Sequence, residues 1–191
     1  MARQKEFDRN VVLERAMTLF WRKGYEATSI SDLVSHMGIN RGSIYDTFGD
    51  KQKLYYAALE HYQQTASLLN PIAEWPSPLD AIRQVFKNLV DEAVGDNSRY
   101  GCFAVNAAVE LAGHNEQIAT DSKCTIEGMT SVFQDGLERA IELGELDPQH
   151  DTLALARFLV NGVLGIRTMA KMNPDRRALN DIVATTLSVL T

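Results

Sequence analysis

Cysteine and long apolar runs are both scarce in this chain of 191 residues, and each scarcity excludes a class of protein. The two cysteines, Cys102 and Cys124, have neither metal-site nor redox-motif spacing, which indicates reduced thiols and not a disulfide framework. No apolar run looks long enough to cross a bilayer, and the first residues lack the apolar core of a signal peptide. The sequence therefore predicts a cytoplasmic protein with no membrane partner.

The alternation of apolar and polar residues that marks β-strands is also missing. Apolar residues recur instead at helical spacing, with interruptions at glycine and proline. We expect an all-α protein of about nine helices, divided into a small three-helix domain over residues 1–53 and a larger helical domain over residues 54–191. The proline-rich segment 70–78 marks the joint in the helical pattern, and a helix starting near Asp50 links the two parts.

Charge is distributed unevenly along the chain, whose net charge is −6. Residues 1–53 hold nine Lys or Arg against seven Asp or Glu, whereas residues 54–191 hold ten against eighteen. A mildly basic head therefore precedes an acidic body. Only the head has the charge balance that favours nucleic acid.

Two short helices around a glycine turn are the most informative feature of the sequence. The apolar stripe of Ile30–Met37 predicts one helix, and Gly38 predicts a tight turn after it. Asn40 is a plausible cap for a second helix, anchored inward by Ile44 and Phe48. This is the outline of a helix-turn-helix unit, which also occurs by chance in ordinary helical bundles.

The outward face of the second helix is small and polar. With Ile44 and Phe48 inward, Gly42 and Asp46 point directly outward at 100° per residue. Glycine lets the helix approach a groove floor, and Arg41 in the first turn can reach guanine or phosphate. Asp46 repels phosphate but could accept a hydrogen bond from cytosine N4.

Specific residues decide between the two interpretations. The run Arg41-Gly42-Ser43-Ile44-Tyr45 with Phe48, Lys51 and Leu54, together with Leu19-Phe20, Gly24-Tyr25 and Thr28-Ser29-Ile30, resembles the TetR family of bacterial transcription regulators. The resemblance covers about residues 10 to 60. It implies a homodimeric, ligand-responsive regulator, most often a repressor, that binds a pseudo-palindromic operator in double-stranded DNA and is released by a small-molecule effector.

The predicted DNA interface combines positions matched to the family with their exposed neighbours. Its members are Thr28, Ser29, Asn40, Arg41, Gly42, Ser43, Tyr45, Asp46, Thr47 and Lys51. Asp46 departs from the His or Asn frequent in the family, and Gly49 replaces a common Pro. Asp46 and the acidic net charge support an alternative, a helical ligand-binding or interaction module that has lost DNA binding.

The body is expected to hold the dimer contact and the effector pocket. The two apolar C-terminal helices would pair with those of a second subunit through Leu159, Gly162, Val163, Ile182 and Thr186, although burial within one subunit explains the same pattern. Candidate pocket residues, each of which could instead be plain core, are Trp75, Phe86, Phe103, Asn106, Glu110, Cys124, Met129 and Phe133.

Cys102 is a candidate thiol sensor of electrophiles or oxidants. It opens a helix close to Arg99, and both a helix N-terminus and a cation favour a reactive thiolate. A small buried residue is the alternative. No nucleophile motif, phosphate loop or metal-ligand spacing is present, so we expect no enzyme activity, cofactor or metal.

Overall fold

The computed structural model describes residues 7–65, 68–95 and 100–190, with all side chains there except those of residues 65, 70 and 71. Within this part of the chain every regular element is helical. The α-helices are α1 (Arg9–Lys23), α2 (Ile30–Met37), α3 (Arg41–Phe48), α4 (Lys51–Thr65), α5 (Asn70–Glu74), α6 (Pro78–Ala93), α7 (Phe103–Leu111), α8 (Glu116–Glu142), α9 (Thr152–Met172) and α10 (Arg176–Leu187), followed by a 3₁₀ turn at Ser188–Leu190. The predicted all-α fold is confirmed.

Short helix α5 lies where the prolines predicted only a joint. A proline in the first turn of a helix loses no hydrogen bond, so Pro71 does not prevent this helix from forming. Ile72 is buried in the body core, and the Arg139 guanidinium donates hydrogen bonds to the carbonyls of Ile72 and Ala73 at 3.3 and 3.1 Å. The segment is thus a packed part of the body.

The described residues form two hydrophobic cores. The body core joins buried side chains of α5, α6, α8, α9 and α10. The head core joins α1 to α4 and also takes Phe103, Ala107 and Leu111 from α7 and Ile118 from α8. The apolar packing of the head therefore continues past residue 53, and helix α7 is shared between the two parts of the molecule.

Polar contacts add to this shared packing. The Glu110 carboxylate on α7 accepts hydrogen bonds from the backbone N–H groups of Tyr25 and Glu26, at 3.0 and 2.8 Å. The Trp21 indole on α1 donates to the carbonyls of Tyr100 and Gly101, both at 3.1 Å. These contacts fix the end of α1 and the link after it against the residues just before α7 and against its last turn.

Helix α9 corrects one expectation from the sequence. Its 21 residues are long and apolar enough to cross a bilayer by length and composition alone, although no run of the sequence was expected to reach that limit. The helix packs against α6, α8 and α10 and contributes Leu159, Val163 and Ile166 to the body core. Packing therefore accounts for its inner face, and an outer apolar face remains.

Candidate nucleic-acid interface

The turn between α2 and α3 holds the second helix at a fixed angle. Gly38 adopts φ +72°, the left-handed conformation, and its N–H donates to the Val34 carbonyl. Arg15 of α1 donates to the Met37 carbonyl at 3.0 Å, which satisfies another free group at the end of α2. The Asn40 Oδ1 then accepts from the Ser43 N–H at 2.8 Å and caps α3.

Helix α3 has the two faces that its spacing predicted. Ile44 is fully buried and Phe48 nearly so, since both pack into the head core. The exposed residues of the helix are Arg41, Gly42, Tyr45 and Asp46, while Ser43 and Thr47 are half-buried. A narrow polar face of about two turns is therefore presented outward on a rigid support. Contact of each residue with DNA stays a prediction.

Cationic and aromatic side chains around α3 are held in defined positions. The Arg41 guanidinium carbon lies 5.4 Å from the centre of the Tyr45 ring, and its Nη2 donates to the Tyr45 hydroxyl at 3.4 Å. Lys51 lies 4.3 Å above the Tyr25 ring at the start of α4. These contacts reduce the rotamer entropy that the cations would lose on binding phosphate.

The structure gives Thr28 a different place from the one predicted. Its side chain is fully buried, and its hydroxyl donates to the Gly24 carbonyl at 2.6 Å, because the link between α1 and α2 folds back here. Thr28 therefore fastens this link, and its hydroxyl does not reach the surface. Ser29 is exposed beside it and caps α2, and its contact with phosphate stays a prediction.

A capping box holds the start of α2. The Ser29 hydroxyl accepts from the Asp32 N–H, and the Asp32 carboxylate accepts from the Ser29 N–H at 2.9 Å. Hydrogen bonds from the backbone and side chain of Ser29, followed by Lys23 at 3.0 Å, lower the pKa of Asp32 to about 2. The carboxylate is thus ionised throughout the neutral range.

Two residues near this interface were missed at the level of sequence. Arg9, the first residue of α1, stacks 5.4 Å from the Phe48 ring and so adds an exposed cation near the end of α3. Arg15 of α1 donates a hydrogen bond to the carbonyl of Met37, the last residue of α2. Both residues lie more than twenty positions along the chain from their partners, so local sequence patterns did not indicate these contacts.

The predicted pocket residues do not share one cavity. Phe86 and Phe133 pack together in the body core with ring centroids 6.3 Å apart, and Met129 packs against the same core. Phe103 belongs to the head core, while Trp75 and Cys124 are exposed. Asn106 and Glu110 alone among the eight face a described cavity, which lies between α1, α7 and α9.

Three cavities of ligand size border the described helices. One of about 550 Å³ lies between α4, α7 and α8, and another of about 670 Å³ runs along α8 beside the start of α9. The third, about 450 Å³, is the junction cavity between the end of α1, helix α7 and the last turns of α9. Small-molecule sites commonly have volumes of about 300–1,000 Å³.

Cys102 is buried and borders the junction cavity, whereas Cys124 is exposed. The Tyr62 hydroxyl donates to the Cys102 Sγ at 3.6 Å and accepts from Arg167 Nη1 at 3.1 Å. Burial and the neighbouring thiol raise the pKa of Tyr62, so its hydroxyl stays neutral. Arg99, the cation expected near Cys102, lies outside the described residues. Within them, no cluster of three metal-ligating side chains is found.

Three of the five predicted dimer residues are buried within the single chain. Leu159, Val163 and Thr186 are buried, and a Cβ on Gly162 would meet Thr186 and Phe86 of the same chain at 2.9 and 3.3 Å. Ile182 is half-buried against the same core. Burial of Leu159, Val163 and Thr186 in the single chain favours the alternative of packing within one subunit, because periodicity gives a face but not its direction.

The outward stripe of α9 is exposed in this single chain. It consists of Ala154, Phe158, Asn161, Gly165, Met169 and Met172, spaced three or four residues apart. Phe158, Met169 and Met172 are 43, 41 and 70% exposed. We call this set the α9 outer face.

A capped two-helix unit that presents a narrow polar face defines a DNA-binding helix-turn-helix protein. Two family models match the chain, "Bacterial regulatory proteins, tetR family" over residues 12–58 and "Tetracyclin repressor-like, C-terminal domain" over residues 78–186. The chain belongs to the TetR family of helix-turn-helix transcriptional regulators.

Individual relatives agree over the whole length. The chain is 36% identical to the uncharacterized HTH-type transcriptional regulator YezE of Bacillus subtilis, with 100% of both chains covered. It is 30% identical to the HTH-type transcriptional repressor ComR of Escherichia coli, covering 97% of this chain and 90% of ComR. A cysteine-substituted variant of the TetR family regulator CifR, complexed with a 26-base-pair operator DNA, superposes with TM-score 0.90 at 27% identity and 100% coverage of both chains.

Proposed function

We propose that the protein is a cytoplasmic homodimeric repressor that binds a pseudo-palindromic operator and is released from it by a small-molecule effector. The observation that carries the proposal is the outward face of α3, with Arg41, Gly42, Tyr45 and Asp46 exposed on a doubly capped helix. A related repressor, ComR, and operator-bound CifR support the same mode of action. Helix α3 would enter the major groove, while Ser29, Lys51 and Arg9 contact phosphates.

The α9 outer face is the surface proposed for pairing with a second copy. Its exposed Phe and Met side chains supply apolar area, and no atom lies within 4 Å of a Cβ built on Gly165, so a second backbone has room to approach. A twofold dimer would present two α3 helices to half-sites about one helical turn of DNA, roughly 34 Å, apart.

Fluorescence anisotropy on DNA taken from immediately upstream of the protein's own gene tests the proposal. We expect tight, sequence-selective binding, with an affinity that falls steeply as salt rises, because several phosphates are neutralised. Scrambled DNA of the same length is the control. If unbiased selection from random DNA also yields no preferred sequence, and binding shows a flat salt dependence, the chain is instead a helical module without DNA function.

A second candidate function concerns the signal that releases the protein from DNA. Cys102 borders the junction cavity beside Tyr62 and Arg167, and the CifR structure carries substituted cysteines, so covalent modification of Cys102 is an alternative to reversible effector binding. Titration of the folded protein with a thiol reagent decides this, with Cys124→Ser used to remove the exposed thiol. Failure of Cys102 to react would leave reversible binding alone.

A further inference from the structure

The junction cavity differs from the other two cavities in its position and in its charge. Its walls come from both parts of the molecule: Arg22 and Gly24 from the end of α1, Asn106 and Glu110 from α7, and Lys171 from α9. Its lining residue Glu110 also ties the body to the head, because its carboxylate accepts hydrogen bonds from the backbone N–H groups just after Gly24. A molecule placed here would contact both sides of the joint.

Four cations line this cavity in a chain whose net charge is −6: Arg22, Lys23, Arg167 and Lys171. Glu110 is its one acidic lining residue, and both of its carboxylate oxygens already accept from backbone N–H groups. By contrast, Lys53, Glu60 and Asp121 give the cavity between α4 and α8 an excess of negative charge. Lys123, Arg157 and Glu127 line the third cavity and leave a single positive charge.

Two of these cations have no carboxylate partner in the described part of the chain. Lys171 Nζ donates to Asn106 Oδ1 at 3.2 Å, and Arg22 stacks 5.5 Å from the Tyr100 ring. Lys23, in contrast, pairs with Asp32 at 3.0 Å. Among the described residues, therefore, an ammonium and a guanidinium without a carboxylate partner line the same cavity, which is an electrostatic match for an anion.

Arg167 supports the same polarity from deeper in the wall. Its side chain is only 18% exposed, its Nη1 donates to the neutral Tyr62 hydroxyl, and its Nη2 lies 3.7 Å from Glu92 Oε2. Cys102 is a further hydrogen-bond partner of this guanidinium. A guanidinium has five N–H donors, more than these three partners need. Arginine recognises carboxylate and phosphate through paired hydrogen bonds.

We infer that the junction cavity binds a small organic anion, a carboxylate or a phosphate, as the effector of this regulator. The inference rests on the proposed function for its regulatory meaning, but not for the binding itself. An anion held by Arg22 on the head side and Lys171 on the body side favours one setting of α1 against α9. A ligand that binds two settings unequally shifts the balance between them.

Trp21 offers a reporter for this binding. Its indole donates to the carbonyls of Tyr100 and Gly101 at the rim of the cavity, and Trp75 is the only other tryptophan in the chain. Trp75 is exposed on the body, so Trp75→Phe leaves one fluorophore next to the proposed site.

The test is a fluorescence titration of the Trp75→Phe protein without DNA. Probes are a panel of aromatic and aliphatic carboxylates, the corresponding phosphate esters, and the neutral amide of each carboxylate. We expect a saturable change with carboxylates, with phosphates or with both, and none with the amides; the stronger class identifies the headgroup. Lys171→Gln should weaken binding about tenfold or more, the loss expected for one hydrogen bond to a charged group.

Lys87→Gln, which changes an exposed lysine of α6 that does not line the cavity, is the matched control and should bind like the parent. Equal responses to acids and amides, unchanged affinity in Lys171→Gln, or no saturable response across the panel would each overturn the inference. Addition of a binding anion to the operator complex is a separate measurement. Binding without release of DNA would refute the effector role while the anion site stands, so the two failures are distinguishable.

Discussion

At the residue scale, the α3 surface is defined as much by what is missing as by what is present. Gly42 adds no side chain to the outward face, so Arg41 and Tyr45 on either side are the groups that extend furthest toward a groove. Their mutual contact, 5.4 Å from guanidinium carbon to ring centre, holds the cation in place before DNA arrives. Loss of either partner should therefore affect binding beyond one lost contact.

Arg41→Ala is expected to reduce operator affinity by about 1–3 kcal/mol and to relax sequence preference, because a base-reading or phosphate-binding guanidinium is removed. Anisotropy titrations over several salt concentrations measure both the affinity and its salt dependence. Lys87→Ala, an exposed cation on the body, serves as the control for net charge. An unchanged affinity and salt slope in Arg41→Ala would remove this residue from the interface.

At this scale the sequence predicted which way a side chain faces better than which group it contacts. The outward direction of Gly42 and Asp46 followed from the positions of Ile44 and Phe48, since helical spacing alone fixes angles around the axis. Burial of the Thr28 hydroxyl did not follow, because its acceptor depends on how the link from Gly24 folds. The contacts of Arg9 and Glu110 could not be predicted either, since their partners are set by tertiary packing and not by local sequence.

At the element scale, caps and turns decide how firmly each helix of the head is held. Helix α2 has only eight residues, too few to be stable alone, and depends on its capping box and on burial of Leu33 and Met37. The low pKa of Asp32 follows from the hydrogen bonds of that box and from Lys23. Because this pKa is depressed in the folded state, the stabilisation is present above the ordinary value of 3.8 and is lost as pH falls toward about 2.

Ser29→Ala is expected to raise the pKa of Asp32 toward 3.8, because a hydrogen bond to the carboxylate is lost. NMR titration of the Asp32 carboxyl carbon measures this directly. The variant should also lose less stability than the wild type as pH falls from 3.8 to about 2. Ser31→Ala, an exposed serine in the same turn, is the control; an Asp32 pKa that stays near 2 in Ser29→Ala would contradict this account.

Helix type and most helix positions were predicted from sequence, but α5, the tenth α-helix of the described residues, and the direction of the apolar faces were not. Capping residues and prolines located most helix starts, including Ser77 with Pro78 at the start of α6. The apolar stripes of α9 and α10 were equally clear, yet Leu159 and Val163 pack inward on α6 and α8. A helix with two apolar faces can bury either face against its own subunit, and the positions of the neighbouring helices determine which one is buried.

At the scale of the whole molecule, the α9 outer face should govern assembly. Phe158→Glu is expected to convert the proposed dimer to a monomer, because a charge would be buried without a partner at the interface. Operator affinity should then fall by tenfold or more, since the second recognition helix is no longer tethered to the first. Sedimentation velocity measures the mass, with the exposed Leu143→Glu as control; a Phe158→Glu protein that stays dimeric would place the interface elsewhere.

The tie between head and body should be carried by Glu110. Its carboxylate accepts hydrogen bonds from two backbone N–H groups of the head. Any side chain on Gly24 would clash with the same carboxylate, because a Cβ there would lie 2.9 Å from Oε2. Glu110→Gln replaces one acceptor by an NH₂ group facing a donor. We expect a local loss of about 1.5–3 kcal/mol at this joint, the value of hydrogen bonds to a charged group.

Hydrogen exchange measures that loss where it occurs. In Glu110→Gln the amides of Tyr25 and Glu26 should exchange faster, while those of α6 in the body core keep their protection. Glu127→Gln, an exposed carboxylate on α8, should leave both regions unchanged. If Glu110 also transmits the effector signal, a ligand that releases wild-type protein from DNA should release Glu110→Gln less effectively, because binding in the junction cavity no longer selects one setting of the head. Unaltered exchange at Tyr25 and Glu26 would instead assign the coupling to the apolar contacts of α7 with the head core.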